Sequence, residues 1–167
     1  MSIKLVVFDC DNTLWDHDDV STLRPPFRKV DDRTVADARG ELVRLTPGAR
    51  ETLETLRRRG VMVSIASWNR PEPAFAIFEL LDLRKYFTHP KVEFHPHKDR
   101  MITALLAELA TDGVVVGPEE ILFVDDRAEQ LSRVRDGVGP VRILQTGVDL
   151  TDLRHVVRVV DEAERSE

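Results

Sequence analysis

The chain has 167 residues, 42% of them hydrophobic and 32% charged, with a net charge of −6 at neutral pH. That length supports a real core in one domain, and the acidic balance argues against a nucleic-acid surface, which is basic. A single Cys excludes an internal disulfide and fits a reducing compartment, and no apolar run reaches the length of a membrane helix or a secretory leader, so a cytoplasmic protein with no membrane partner is expected.

Ile3 to Phe8 is an apolar, β-branched run broken only by Lys4, and it reads as a buried strand. It ends abruptly in Asp9-Cys10-Asp11. Residues 15 to 46 are polar and irregular, with Asp16-His17-Asp18-Asp19, then Pro25-Pro26. A connection that long at a strand tip is expected to act as a flap over a site. A short helix and a hairpin both fit Asp32 to Leu45, and the acidic run reads as a solvated loop. Thr46-Pro47-Gly48 reads as a helix start, with Pro at the first helical position, and Gly60 as its end. Val61 to Ala66 is the second strand, followed by Ser67-Trp68-Asn69-Arg70, and Pro71 opens the next helix. A weak third strand is expected near Val92 to Phe94, between His89 and His95-Pro96-His97. Lys98 begins a helix carrying Ile102, Leu105, Leu106 and Leu109 at helical spacing. Ile121 to Val124 is the fourth strand and ends in Asp125-Asp126. A helix over 128–135, a strand near Val141 to Leu144 and a terminal helix from Leu150 complete the chain, with a charged tail from Asp161 expected to fray. Alternating strands and helices imply an α/β fold, a parallel sheet covered on both faces. The whole of 1–167 reads as one domain, with 15–46 as its flap.

In such sheets the strand tips share one edge, so Asp9, Asp11, Ser67, Lys98, Asp125 and Asp126 are expected to converge. Paired carboxylates repel unless a cation lies between them, and oxygen ligands suit Mg²⁺. A hydroxyl, a lysine and backbone N–H groups at a helix start suit a phosphate. One carboxylate can attack phosphorus while another moves protons.

These residues carry a resemblance. Asp9-Cys10-Asp11-Asn12-Thr13-Leu14 resembles the first motif of the haloacid dehalogenase (HAD) superfamily, Asp-x-Asp-x-Thr-Leu, after its apolar strand. Val63-Ser64-Ile65-Ala66-Ser67 resembles the second motif, Lys98 the third, and Leu122-Phe123-Val124-Asp125-Asp126 the fourth. Within the superfamily the chain is most similar to the magnesium-dependent phosphatases that lack a large cap. The features are Thr13-Leu14-Trp15, Pro25-Pro26-Phe27, Arg84-Lys85-Tyr86-Phe87 and Asp125-Asp126-Arg127. The resemblance implies a three-layer Rossmann-like fold with five parallel strands in the order 5-4-1-2-3 and no large cap domain. It implies Mg²⁺ as cofactor, held by Asp9, the backbone carbonyl of Asp11, and Asp125 or Asp126. Asp9 is then the nucleophile that becomes an aspartyl-phosphate, and Asp11 the general acid and base. Ser67 and Lys98, with Trp68 and Asn69, bind the phosphoryl group. Asn12, Arg70 and His97 are candidate substrate contacts. The substrate class is a phosphorylated small molecule, such as a sugar phosphate, or a phosphoprotein side chain. Asn12 and the run Ser67-Trp68-Asn69-Arg70 depart from the family pattern around the phosphate pocket, which bears on substrate choice.

Two other readings use the same residues. Phosphatase-like domains acting on acyl-carrier-protein-linked substrates also begin Asp-Cys-Asp-Asn-Thr-Leu-Trp. A receiver-like phospho-accepting domain also combines acids, Mg²⁺, a hydroxyl and a lysine. There the acid pair precedes a separate phosphoacceptor on a later strand, whereas here Asp-x-Asp comes first and the extra acid pair last. Cys10 as a nucleophile would require Cys-x₅-Arg, and Asp16 stands at the Arg position. His89, His95 and His97 lack the spacing of a zinc site.

Overall fold

A computed structural model of the chain describes residues 1–166. In chain order it contains β1 (Leu5–Phe8), β2 (Trp15–Asp16), β3 (Arg28–Asp31), β4 (Thr34–Ala36), β5 (Leu42–Leu45) and α1 (Ala49–Arg58). There follow β6 (Met62–Trp68), α2 (Pro71–Leu80), β7 (Lys91–Glu93), α3 (Lys98–Thr111), β8 (Ile121–Asp125), α4 (Ala128–Val138), β9 (Arg142–Gln145) and α5 (Arg154–Arg165). None of the helices is long and apolar enough to cross a membrane.

Five strands form one parallel sheet in the order β7-β6-β1-β8-β9, the expected order read from the other edge. The central strand β1 is buried at all four positions because it has a strand on each side and helices above and below. Its side chains alternate between two layers. Val6 and Phe8 pack with Leu53 and Leu56 of α1, Phe78 of α2, and Val156 and Val160 of α5. Leu5 and Val7 pack with Ile102 and Leu105 of α3 and Leu131 and Val134 of α4.

The segment after β1 is no unstructured loop, and over 32–45 the hairpin forms and the helix does not, with β4 and β5 paired antiparallel. It is a four-stranded antiparallel sheet, β2-β5-β4-β3. Trp15, Val20, Val35, Val43 and Leu45 from this flap lie in the same apolar cluster as β1 and α1. A buried carboxylate closes its far turn: Asp37 accepts the backbone N–H groups of Arg24 at 3.0 Å, Arg39 at 2.9 Å and Glu41 at 2.9 Å.

Other boundaries differ from expectation for local reasons. The Thr46 hydroxyl does not cap a helix; it donates to the Thr13 carbonyl. Helix α1 starts at Ala49, after Gly48 in the left-handed region at φ 77°, where a Cβ would collide with Asp152 and Arg154. The third parallel strand is Lys91–Glu93, and Phe94 lies outside it, exposed. Strand β6 runs on to Trp68, and α4 continues to Val138. Leu150 pairs with Thr146 and the Leu153 N–H donates to the Pro47 carbonyl, so the last helix begins at Arg154. It continues through most of the charged tail, to Arg165.

Candidate active site

The sheet edge gathers the acids as the spacing requires. Asp9 follows β1 and donates its N–H to Val124, which locks the tips of β1 and β8 together. The chain then turns tightly: the N–H groups of Thr13, Leu14 and Trp15 all point to the carbonyl of Cys10. That turn places Asn12 at φ 56°, a left-handed conformation that Asn tolerates better than bulky or β-branched residues. Its side-chain amide donates to Asp18 at 3.1 Å.

Lys98, at the first turn of α3, reaches Asp9 Oδ1 and Asp125 Oδ2, both at 2.7 Å. All three side chains are buried. Thr13 Oγ1 donates to the other oxygen of Asp9 at 3.3 Å. Burial pushes Asp9 up to about 7 although Lys98 pulls it down, and the neighbouring Asp126 carboxyl adds to the rise. Burial, then the Asp9 charge, raises Asp125 to about 6 against Lys98. Asp126 is raised as well, chiefly by burial. Burial alone would lower Lys98, but Asp9 and Asp125 outweigh it and keep the ammonium charged. One lysine therefore faces three crowded carboxylates. Ligand oxygens of Asp9, Asp125 and Asp126 all lie within 4.8 Å of one another, a donor set that fits a hard divalent cation. Gln130, buried beside them, has a side-chain oxygen with no hydrogen-bond partner, which suits a hydrated ion.

Asp11 is held apart from this cluster. Its Oδ1 accepts Trp15 Nε1–H at 2.9 Å and the Val20 N–H at 3.3 Å, and its Oδ2 accepts Asn69 Nδ2–H at 3.0 Å. Burial still raises its proton affinity against these three bonds. Asn69 Nδ2 also donates to Ser67 Oγ at 2.9 Å, and Asn69 Oδ1 accepts the Ser21 hydroxyl at 2.7 Å.

The cleft above these groups has a volume of about 230 Å³. Asp9, Asp11, Lys98 and Asp126 form its chemical floor, and Asn12, Asp18, Asp19, Trp68, Phe94, Arg127 and Gln130 complete the lining. Arg127 lies over the Trp68 ring and Arg70 over Phe94, 5.9 and 5.2 Å from the ring centres.

The structure therefore brings together Asp9, Asp11, Ser67, Asn69, Lys98, Asp125 and Asp126. Asn12 and Trp68 reach the cleft; Ser67, Asn69 and Asp125 lie buried beneath it, and Arg70 and His97 are not among its lining residues. Asn69 is buried, its amide is committed to Asp11, Ser67 and Ser21, and its backbone N–H goes to Glu93. It therefore acts on its neighbours, without a free N–H for a phosphate. Cys10 is buried with its thiol pushed well up by burial and then by Asp9 and Asp11, so it stays protonated. Ser21, Asp19, Phe94 and Gln130 were not legible as site residues. Asp18 lines the cleft although its acidic run reads as solvent-facing. The buried Trp15, noted in the sequence only as a family feature, also donates its indole N–H to Asp11.

A family model described as Acid Phosphatase matches residues 2–161. The chain is 35% identical to human magnesium-dependent phosphatase 1 over 151 residues, which cover 90% of this chain and 82% of that protein. Among solved structures, a HAD-superfamily hydrolase from Ehrlichia chaffeensis is similar at a TM-score of 0.65 and 14% identity, covering 98% of this chain and 97% of that one. The N-terminal part of a Bacteroides fragilis protein, containing a phosphatase domain complexed with Mg, is similar at a TM-score of 0.65 and 17% identity. That likeness covers 96% of this chain and 40% of the other.

Proposed function

The chain belongs to the acid phosphatase family, and from that premise we propose that it hydrolyses phosphomonoesters through an aspartyl-phosphate formed on Asp9. It is a Mg²⁺-dependent phosphatase of the HAD type, without a large cap. The observation that carries the mechanism is the division of labour between two carboxylates one residue apart. Asp9 shares Lys98 with Asp125, while Asp11 is hydrogen-bonded to Trp15, Val20 and Asn69.

Asp9, Asp125 and Asp126, with the Asp11 carbonyl, are the residues that would hold Mg²⁺, which when bound neutralises charge on the phosphoryl group. An ionised Asp9 oxygen attacks phosphorus and the ester oxygen departs. Asp11, whose burial favours the protonated form, gives that oxygen its proton. In the second step Asp11 takes a proton from a water, which attacks phosphorus and releases Asp9 and inorganic phosphate. Lys98 stays charged throughout and keeps the phosphoryl oxygens from repelling Asp9. Ser67 accepts a hydrogen from Asn69, so its own hydrogen, which faces Cys10 here, is the one that would turn to a phosphoryl oxygen.

The substrate is a small phosphorylated molecule, such as a sugar phosphate, or a phosphoprotein side chain. The size of the cleft and the exposed Trp68 and Phe94 support both. The test is hydrolysis of 4-nitrophenyl phosphate with Mg²⁺ and with EDTA, in the native protein and in Asp9→Asn. Chelation should abolish turnover, and Asp9→Asn should lower it by at least about 10³-fold. Metal-independent hydrolysis, or an active Asp9→Asn, would overturn the mechanism. A panel of phosphorylated metabolites and phosphopeptides then separates the two substrate classes.

A further inference from the structure

We propose that Ser21, in the 3-10 turn Val20–Thr22 of the flap, is a positioning residue that aims the proton of Asp11 through Asn69. This rests on the reading of Asp11 as the general acid. The polarity of the chain of bonds is set from its far end, since with the amide reversed Ser21 Oγ would accept from both Arg70 and Asn69 and its own hydrogen would lose its acceptor. The Arg70 backbone N–H donates to Ser21 Oγ at 2.9 Å, and a backbone donor cannot reverse. Ser21 directs its own hydrogen to Asn69 Oδ1, at 2.7 Å. The Asn69 amide is thereby oriented with its carbonyl toward the flap. Both its hydrogens are spent at the site, one on Asp11 Oδ2 and one on Ser67 Oγ. Asn69 is 1% exposed, so solvent has little access to replace Ser21.

The orientation matters because the reversed amide is a trap. With Asn69 turned over, its carbonyl oxygen would face Asp11 and accept the proton that the leaving group needs. In the observed sense Asn69 can only donate to Asp11. Asp11 Oδ1 already takes two donors, Trp15 and Val20, whereas Oδ2 takes only Asn69. The oxygen with capacity for a transferable proton is therefore Oδ2, and Asn69 sets its direction. Ser21 thus links the flap to the proton donor without entering the cleft lining.

The test uses two esters of similar shape. 4-Nitrophenolate leaves without a proton, whereas the alkoxide of benzyl phosphate needs one. In the Mg²⁺-loaded protein, Ser21→Ala should lower kcat/KM for benzyl phosphate about tenfold, the scale of one lost hydrogen bond, and for 4-nitrophenyl phosphate less than about twofold. Ser21→Thr, which keeps the hydroxyl, should restore the native ratio. Ser21→Cys, similar in volume and a poor donor, replaces the alanine variant if that one does not fold. Equal losses on both esters, or none, would overturn the proposal. Asp11→Asn, read as the rate of leaving-group release in a single turnover so that its role as base in the second step does not enter, separates the two readings. If it too spares neither ester preferentially, Asp11 is not the acid and both readings fall. If it selectively slows benzyl phosphate and the Ser21 variants do not, only the role of Ser21 falls.

Discussion

Lys98 sits where the charges of the site balance. Its ammonium lies 2.7 Å from both Asp9 and Asp125, and with all three groups largely buried at the floor of the cleft, little solvent relieves those carboxylates. Lys98→Met keeps most of the stem and removes the charge. Breaking such a buried pair leaves anions without a partner, so the metal-free protein should lose about 3 kcal/mol at pH 7.5 in urea unfolding. The kcat/KM for 4-nitrophenyl phosphate should fall by at least about 10²-fold, since repulsion between phosphate and Asp9 returns. Unchanged kinetics would remove Lys98 from the phosphate pocket. Lys98 was legible in sequence because a lysine opening an amphipathic helix after a strand is a recognisable placement. Ser21 and Gln130 were not, although Gln130 follows the fourth motif by four residues, because neither side chain belongs to a motif that signals a site. Their neighbours at the cleft come from residues on other elements, and only the folded sheet edge supplies them.

The central parallel strands β1, β6 and β8 were readable as elements because each carries a largely apolar run buried on both faces. The flap was not. Its strands have between two and four residues, too short for alternation to register, and Trp15 pairs with Leu45 across a long stretch of chain. Strand β7 was misplaced by one residue for the same reason: three residues at a sheet edge leave Phe94 indistinguishable from a strand position. What stabilises the flap is a buried carboxylate together with apolar contacts. The Arg24 N–H foremost, helped by those of Glu41 and Arg39, holds Asp37 down at about 2 against the effect of burial. Its ionised form is favoured in the folded state. That contribution is present above about pH 4 and is lost as pH falls toward 2. Asp37→Ala strands the three N–H groups and should cost about 2 kcal/mol at pH 7, measured as a lower urea midpoint at unchanged m.

For the whole molecule, the arrangement of acids couples metal binding to protons. Asp9 at about 7 and Asp125 at about 6 are both raised, so in the metal-free protein each holds its proton below those values. A cation must displace those protons. Apparent Mg²⁺ affinity should therefore rise with pH through 6 to 7 and level off above, being at least about tenfold weaker at pH 5.5 than at pH 7.5 by calorimetric titration. An affinity independent of pH would place the metal elsewhere. The fold makes this coupling unavoidable. Strands β1 and β8 are hydrogen-bonded neighbours, so their terminal acids meet at the floor of the cleft, where little solvent screens them. The sheet order was legible from the order of motifs, and the depth of burial that drives the coupling was not.

The flap has an inner and an outer half. Trp15, Val43 and Leu45 of β2 and β5 belong to the main core, whereas every residue of β3 is exposed. An evolving or engineered enzyme can therefore lengthen, recharge or replace the exposed edge strand β3 as an exchangeable module, leaving β2, β5 and the buried β4 as fixed foundation. New selectivity would be grafted at the tip, while the chemistry below keeps its seat.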